Sequence, residues 1–165
     1  MSISLSAFSI NTRSPYPVRT ENGYSFLFTT DYGHIYEIGF LEDFTLGDNC
    51  NTYQFFISLH DSNHYPRDKK VFDTIVAILE EFFKNELVTL VYICDTFDGR
   101  QIYRNRLFSI WFNLYQHKED YWLETKELVV YDTQYYFSII AKRDMPFLHE
   151  RLESLNQLYT TLEAK

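Results

Sequence analysis

Hydrophobic and polar positions alternate over residues 24–29 and again over residues 34–40, separated by Asp31, Tyr32 and Gly33. Tyr24, Phe26 and Phe28 fall on one side of the first run, and Tyr36, Ile38 and Phe40 on one side of the second. Two alternating runs around a glycine-containing turn predict a β-hairpin. Residues 41–52 are acidic and hold Gly47, Asp48 and Asn49, which predicts a loop; alternation resumes over 53–59 as a third strand. The period then changes. Val71, Phe72, Ile75, Val76, Ile78, Leu79, Phe82 and Phe83 recur at spacings of three and four, the mark of a helix with one broad apolar face, and Pro66 suits its start. Residues 88–94 are almost continuously apolar, as in a central strand buried on both faces.

A connection follows over residues 95–100, with Thr96 or Asp98 expected to cap the next helix, residues 100–116. Tyr103, Leu107, Ile110, Trp111 and Leu114 share one side of that helix and are expected to be buried. Phe108 and Phe112 lie off that side, so the helix is expected to bury more than one face. Strands at 121–131 and 134–141 flank an Asp132-Thr133 turn. Asp144 is the expected cap of a last helix, with Pro146 in its first turn and Leu148, Leu152, Leu155, Tyr159 and Leu162 as its buried stripe. The order β-β-β-α-β-α-β-β-α groups strands in hairpins, which predicts an α+β fold: a mainly antiparallel sheet packed by three helices. Residues 1–22, with Pro15 and Pro17, read as an extended N-terminal arm, and residues 23–165 as a single domain.

Composition adjusts this picture in two places. With 15 Phe and 14 Tyr among 165 residues, the rings supply much of the core, and tyrosines outside it make good contact residues. The net charge of −8 disfavours nucleic acid and anionic membranes as partners, while permitting a basic protein. Cys50 and Cys94 form no metal or redox motif and read as free thiols of a reducing compartment. Residues 1–10 lack the basic and long apolar regions of a secretory signal, and no window approaches a membrane span. The expected location is the cytoplasm.

Candidate chemistry concentrates after residue 94. Asp95, Thr96, Asp98, Arg100, Gln101, Arg104 and Arg106 fall within a short stretch, and residues 99–118 carry four cations and no acid. That segment is +4, so the remainder is −8 − 4 = −12. The arginines either pair with internal carboxylates such as Asp95 and Asp98, or hold an anion at the start of a helix. Internal pairing is the more ordinary arrangement. Arg100 and Arg104 share a helical face, whereas Arg106 points elsewhere. Asp95 and Asp98 alone make a weak Mg²⁺ site. His60 and His64 have a zinc-ligand spacing, but only Asp61 accompanies them, and the segment reads as a solvated loop. Cys94 beside Asp95 is a poor nucleophile. No G-x-S-x-G, H-E-x-x-H, phosphate-loop or dinucleotide motif occurs, and neither a cofactor nor a metal is expected.

The run Tyr92-Ile93-Cys94-Asp95-Thr96-Phe97-Asp98-Gly99-Arg100-Gln101, followed by Arg104, Arg106, Leu107, Phe108, Trp111 and Phe112, resembles a bacterial domain-of-unknown-function family, DUF6169, found largely in Bacteroidota. The opening hairpin, Thr74-Ile75, Phe82-Phe83 and Lys142-Arg143-Asp144-Met145-Pro146-Phe147 are also similar to it, so the resemblance spans about residues 23–160. It implies a bacterial cytoplasmic protein and supplies no activity or catalytic residue. The residues themselves fit best a non-catalytic protein-binding domain. Its profile is that of an acidic antitoxin or an immunity-type inhibitor of a basic partner, with self-association as a further possibility. The alternative is an enzyme or small-anion-binding protein with its site at the connection from Asp95 to Arg106.

Overall fold

A computed structural model describes residues 3–44, 51–60, 67–94 and 99–163. The strands are β1 (Ser25–Thr29), β2 (Ile35–Glu42), β3 (Thr52–Leu59), β4 (Thr89–Ile93), β5 (Tyr121–Val130) and β6 (Thr133–Lys142). The helices are α1 (Ala7–Asn11), α2 (Lys69–Phe82), α3 (Gln101–Leu114) and α4 (Leu148–Glu163), with a 3-10 turn at Lys118–Asp120. The strands form one sheet in the order β1-β2-β3-β4-β6-β5. The expected mixed fold with a mostly antiparallel sheet and an internal fourth strand is therefore present. Pairing is antiparallel for β1–β2, β4–β6 and β5–β6.

One pair departs from that pattern. The Thr89 amide donates to the Asn51 carbonyl at 3.0 Å, joining the beginnings of β3 and β4. Strands that meet start to start run parallel, and α2 supplies the long crossover such a pair needs. Hairpin-rich patterning hid this because the remaining described pairs are antiparallel.

The described chain divides into two compact units. The first is Met1–Leu41 with Phe55–Asn85. Phe26, Phe28, Ile38, Phe40 and Phe55 line its sheet, and Ile75, Ile78 and Phe82 of α2 are buried with them. Phe40 and Phe82 stack at 4.5 Å, which is the offset geometry aromatic pairs prefer. A Cβ at Gly39 would run into the tip of the Phe56 ring.

The expected extended arm is replaced by packed structure. Ser6 caps α1 by accepting from the Ser9 amide at 3.1 Å, and Ile10, Tyr16 and Val18 are buried. Tyr16 stacks on Phe28, and its hydroxyl donates to Asp68 Oδ2 at 2.5 Å while accepting from the Asp31 amide at 3.2 Å. Burial is the main cause that pushes the Tyr16 phenol up to about 12. The two prolines set a path for the segment; the apolar residues between and beside them anchor it.

The second unit is Glu42–Gln54 with Glu86–Lys165. Leu128, Phe137, Ile139 and Leu155 form a cluster, with Leu152, Tyr159 and Leu162 of α4 packed against it. The expected α4 stripe is thus largely inward. Asp144 and Pro146 precede the helix, which begins at Leu148, so Pro146 is not in its first turn. The β5–β6 turn is Tyr131-Asp132, one residue earlier than expected, with φ of 48° and 62°. Directly opposed residues share a face. Ile139, Phe137, Val91 and Ile93 therefore lie on the α4 face, whereas Tyr92 lies on the other face and stacks on Phe108 of α3 at 4.5 Å. Helices α3 and α4 cover opposite faces of this unit.

Candidate functional site

Asp95, Thr96 and Asp98 lie outside the described residues, as do Cys50 and His64. Of the sequence-predicted site, the structure describes Arg100, Gln101, Arg104 and Arg106. Arg100 is itself the cap position of α3 and makes no side-chain cap hydrogen bond, so neither expected cap, Thr96 or Asp98, holds that position. Gly99 has φ of 68°, a left-handed conformation that costs glycine nothing. Gln101 turns toward β6 and donates through Nε2 to the Gln134 carbonyl at 3.0 Å. The arginines diverge. The Arg104 charge acts on Cys94 and Tyr92, and the Arg106 charge acts on Tyr136.

Cys94 is buried, and desolvation pushes its thiol up to about 11, against a smaller opposing effect of Arg104 and a Tyr92 hydrogen bond. A thiol in that state is protonated at neutral pH and inert as a nucleophile. Burial likewise raises Tyr92. His60 bonds Glu37 through Nε2 at 3.2 Å on an exposed surface, which is a strand-to-strand contact with no metal geometry. Among the described residues, no group of three or more His, Cys, Asp or Glu is placed to hold a metal ion. No helix among them is long and apolar enough to cross a membrane.

What sequence reasoning misplaced is the apolar stripe of α3. Tyr103, Leu107, Ile110 and Leu114 were expected inside, yet they are exposed by 68%, 46%, 54% and 69%. Phe108 alone is fully buried on this helix. The reason is geometric. A helix on the outer face of a three-strand sheet has one inward edge, and Phe108 with its neighbours fills it. The second apolar edge then has no element of this unit to meet. Arg106 and Asn113 lie among the exposed positions of the same outward face. Periodicity reports that a helix has an apolar side; it does not report which side the sheet takes when there are two.

The model of the family of unknown function DUF6169 matches residues 67–157, more than half of the chain. The chain belongs to that family. The matched span runs from the start of α2 into α4 and so contains all of α3. No curated protein matches the chain. Among solved structures, a CoA-dependent acyl-homoserine lactone synthase, MesI, is similar at 10% identity with a TM-score of 0.40, covering 88% of this chain and 75% of that one. A likeness at that level carries no argument about activity.

Proposed function

We propose that this member of DUF6169 is a non-catalytic interaction domain that self-associates through the outward face of α3. The exposed stripe of Tyr103, Leu107, Ile110 and Leu114 carries the reading. Contiguous exposed apolar side chains on a helix mark interaction surfaces. Their spacing of four, three and four is the same read from either end. An antiparallel copy therefore sets Tyr103 against Leu114 and Leu107 against Ile110 of the second chain, the self-complementarity that a twofold interface requires. The flanking charge disfavours the basic partner suggested by net charge, because residues 99–118 are themselves +4. In the antiparallel arrangement, Arg104 of each copy lies toward the C-terminal end of the other helix, where the helix dipole favours a cation.

One helix face is smaller than the roughly 800 Å² per partner of a standard interface, so the association is expected to be weak. Sedimentation equilibrium from about 1 to 200 µM tests it. Wild type shifts from monomer to dimer across that range, and Leu107→Glu with Ile110→Glu stays monomeric with unchanged far-ultraviolet circular dichroism. A wild type that is monomeric throughout overturns the reading.

A second reading rests on the parallel pair. The carboxyl end of β4 leads into the N-terminal end of α3, and ligands of mixed sheets gather beyond the carboxyl ends of parallel strands. Amides at a helix start favour an anion there. This is the enzyme or anion-binding alternative, and melting curves with phosphate, ADP or coenzyme A address it. A rise in melting temperature that disappears in Arg104→Met supports it over the interaction domain.

A further inference from the structure

The face of the second unit covered by α4 holds two buried hydrogen-bond donors, Trp122 Nε1 and Arg151 Nε, that make no hydrogen bond among the described residues. An unmet buried donor costs about 1–3 kcal/mol, so each of these calls for an acceptor. The register places both on the same surface. Trp122 opposes Ala141 and Leu128 opposes Tyr135, which puts Trp122 on the side where Leu128 meets Leu155. Arg151 is one turn before Leu155 on α4, at i−4, and therefore on the same inward edge. The direction of α4 is set by Tyr159, whose hydroxyl donates to the Glu127 carbonyl at 2.7 Å, farther along β5. The first turn of α4 thus lies toward the start of β5, where Trp122 is.

A second cation completes the group. The Arg143 amide donates to the Asp120 carbonyl at 2.9 Å, extending the β5–β6 ladder by a rung, and the Arg143 guanidinium stands 5.3 Å from the centre of the Trp122 ring. Neither Arg143 nor Arg151 has a carboxylate within ion-pair distance among the described residues. Glu124, on the same face of β5, pairs with Lys126 at 3.0 Å. The N-terminal end of α4 adds the positive end of a 16-residue helix.

We infer that Trp122, Arg143 and Arg151 form a binding site for a small carboxylate at the N-terminal end of α4. The unmet donors decide the class. One N–H comes from the indole and one from Arg151, which matches the two oxygens of a carboxylate. A phosphate dianion calls for more donors and would lie beside the Glu124 charge. Arg143 is exposed and closes over the ring, so the ligand enters from the Arg143 side.

The two tryptophans are Trp111 and Trp122, so Trp111→Phe leaves Trp122 as the sole indole reporter. Titration of that variant with acetate, succinate, phosphate and chloride at fixed pH and ionic strength, read by fluorescence and by melting temperature, tests the site. The expected result is a saturable change with acetate and succinate, absent with chloride, and weakened at least tenfold by Arg151→Met and by Arg143→Met. Trp122→Phe should lose the succinate-dependent rise in melting temperature while still melting cooperatively. No saturable response to either carboxylate would mean that water occupies the two donors, and the inference fails. An equal response to chloride, or tighter binding of phosphate than of carboxylate, also overturns it.

Discussion

Replacing Glu81 by alanine removes the group that ties the N-terminal segment to α2. Glu81 is 9% exposed, and its Oε2 accepts from Ser9 Oγ at 2.7 Å, from Lys84 Nζ at 2.6 Å and from Arg13 Nη2 at 3.2 Å. The Ser9 hydrogen bond, made to a charged acceptor, is worth about 1.5–3 kcal/mol. The Lys84 and Arg13 pairs have half-exposed cationic ends and add roughly 0–1 kcal/mol each. The expected loss is therefore about 1.5–5 kcal/mol in urea unfolding at pH 7, on those per-contact figures. Ser9→Ala should cost less, and the double variant should fall short of the sum, since both remove the same bond. The pH dependence has a definite sign. Burial works to raise the Glu81 carboxyl, but hydrogen bonds from Lys84 and Ser9 and the charges of Lys84 and Arg13 outweigh it and hold it below the ordinary carboxylate value. A carboxyl lowered in the folded state stabilises above its unfolded pKa and loses that contribution as pH falls through its folded pKa. Wild type should converge on Glu81→Ala in acid and separate from it at neutral pH. A difference below about 0.5 kcal/mol at pH 7, the level of an ordinary surface substitution, would show that the segment is not held there.

Other substitutions test the core and the turns. Leu90→Ala should cost about 2–5 kcal/mol, because Leu90 is fully buried on β4. Ile93→Ala should cost under about 1.5 kcal/mol, because Ile93 is 41% exposed; equal losses in urea unfolding would contradict the burial of the strand. Gly39→Ala must push the Phe56 ring aside and should destabilise by about 1–3 kcal/mol, and a neutral melt would contradict that contact. Tyr131 holds a left-handed conformation while 92% exposed. Tyr131→Asn should raise stability by up to about 1 kcal/mol, since asparagine suits such hairpin turns, and a lower melting temperature would argue for a role of the ring.

Where the sequence pattern was strict, the fold followed it. The alternation of Phe26 and Phe28 against Ile38 and Phe40 has one solution, since a one-residue slip would turn every ring outward. The β-branched run before Cys94 became the internal strand β4 for the same reason. The N-terminal segment was misread because its anchoring residues, Ile10, Tyr16 and Val18, have no common period. Each finds its own niche, and the prolines only set the direction of the segment. The parallel pairing of β3 and β4 was invisible because strand direction is a property of the connection, and an α2 of 14 residues permits either.

The two candidate surfaces of the second unit differ in how sequence could have found them. The α3 stripe was legible as a stripe, and only its side was wrong. Two apolar edges on a helix that meets one sheet face must leave one edge outside, so Phe108 and Phe112 off the main stripe were already a sign of surplus. The Trp122, Arg143 and Arg151 group left no such sign. Those residues are 21 and 8 positions apart, and they converge only because β6 returns antiparallel to β5 and α4 then runs back along the strand. A site of that kind is set by topology, while the unmet donors that reveal it are a property of packing. The two surfaces lie on opposite faces of the same sheet, so occupation of one need not block the other. Carboxylate binding should therefore persist in the monomeric Leu107→Glu, Ile110→Glu variant. Its loss there, with folding intact, would mean that the α4 site depends on the assembled protein.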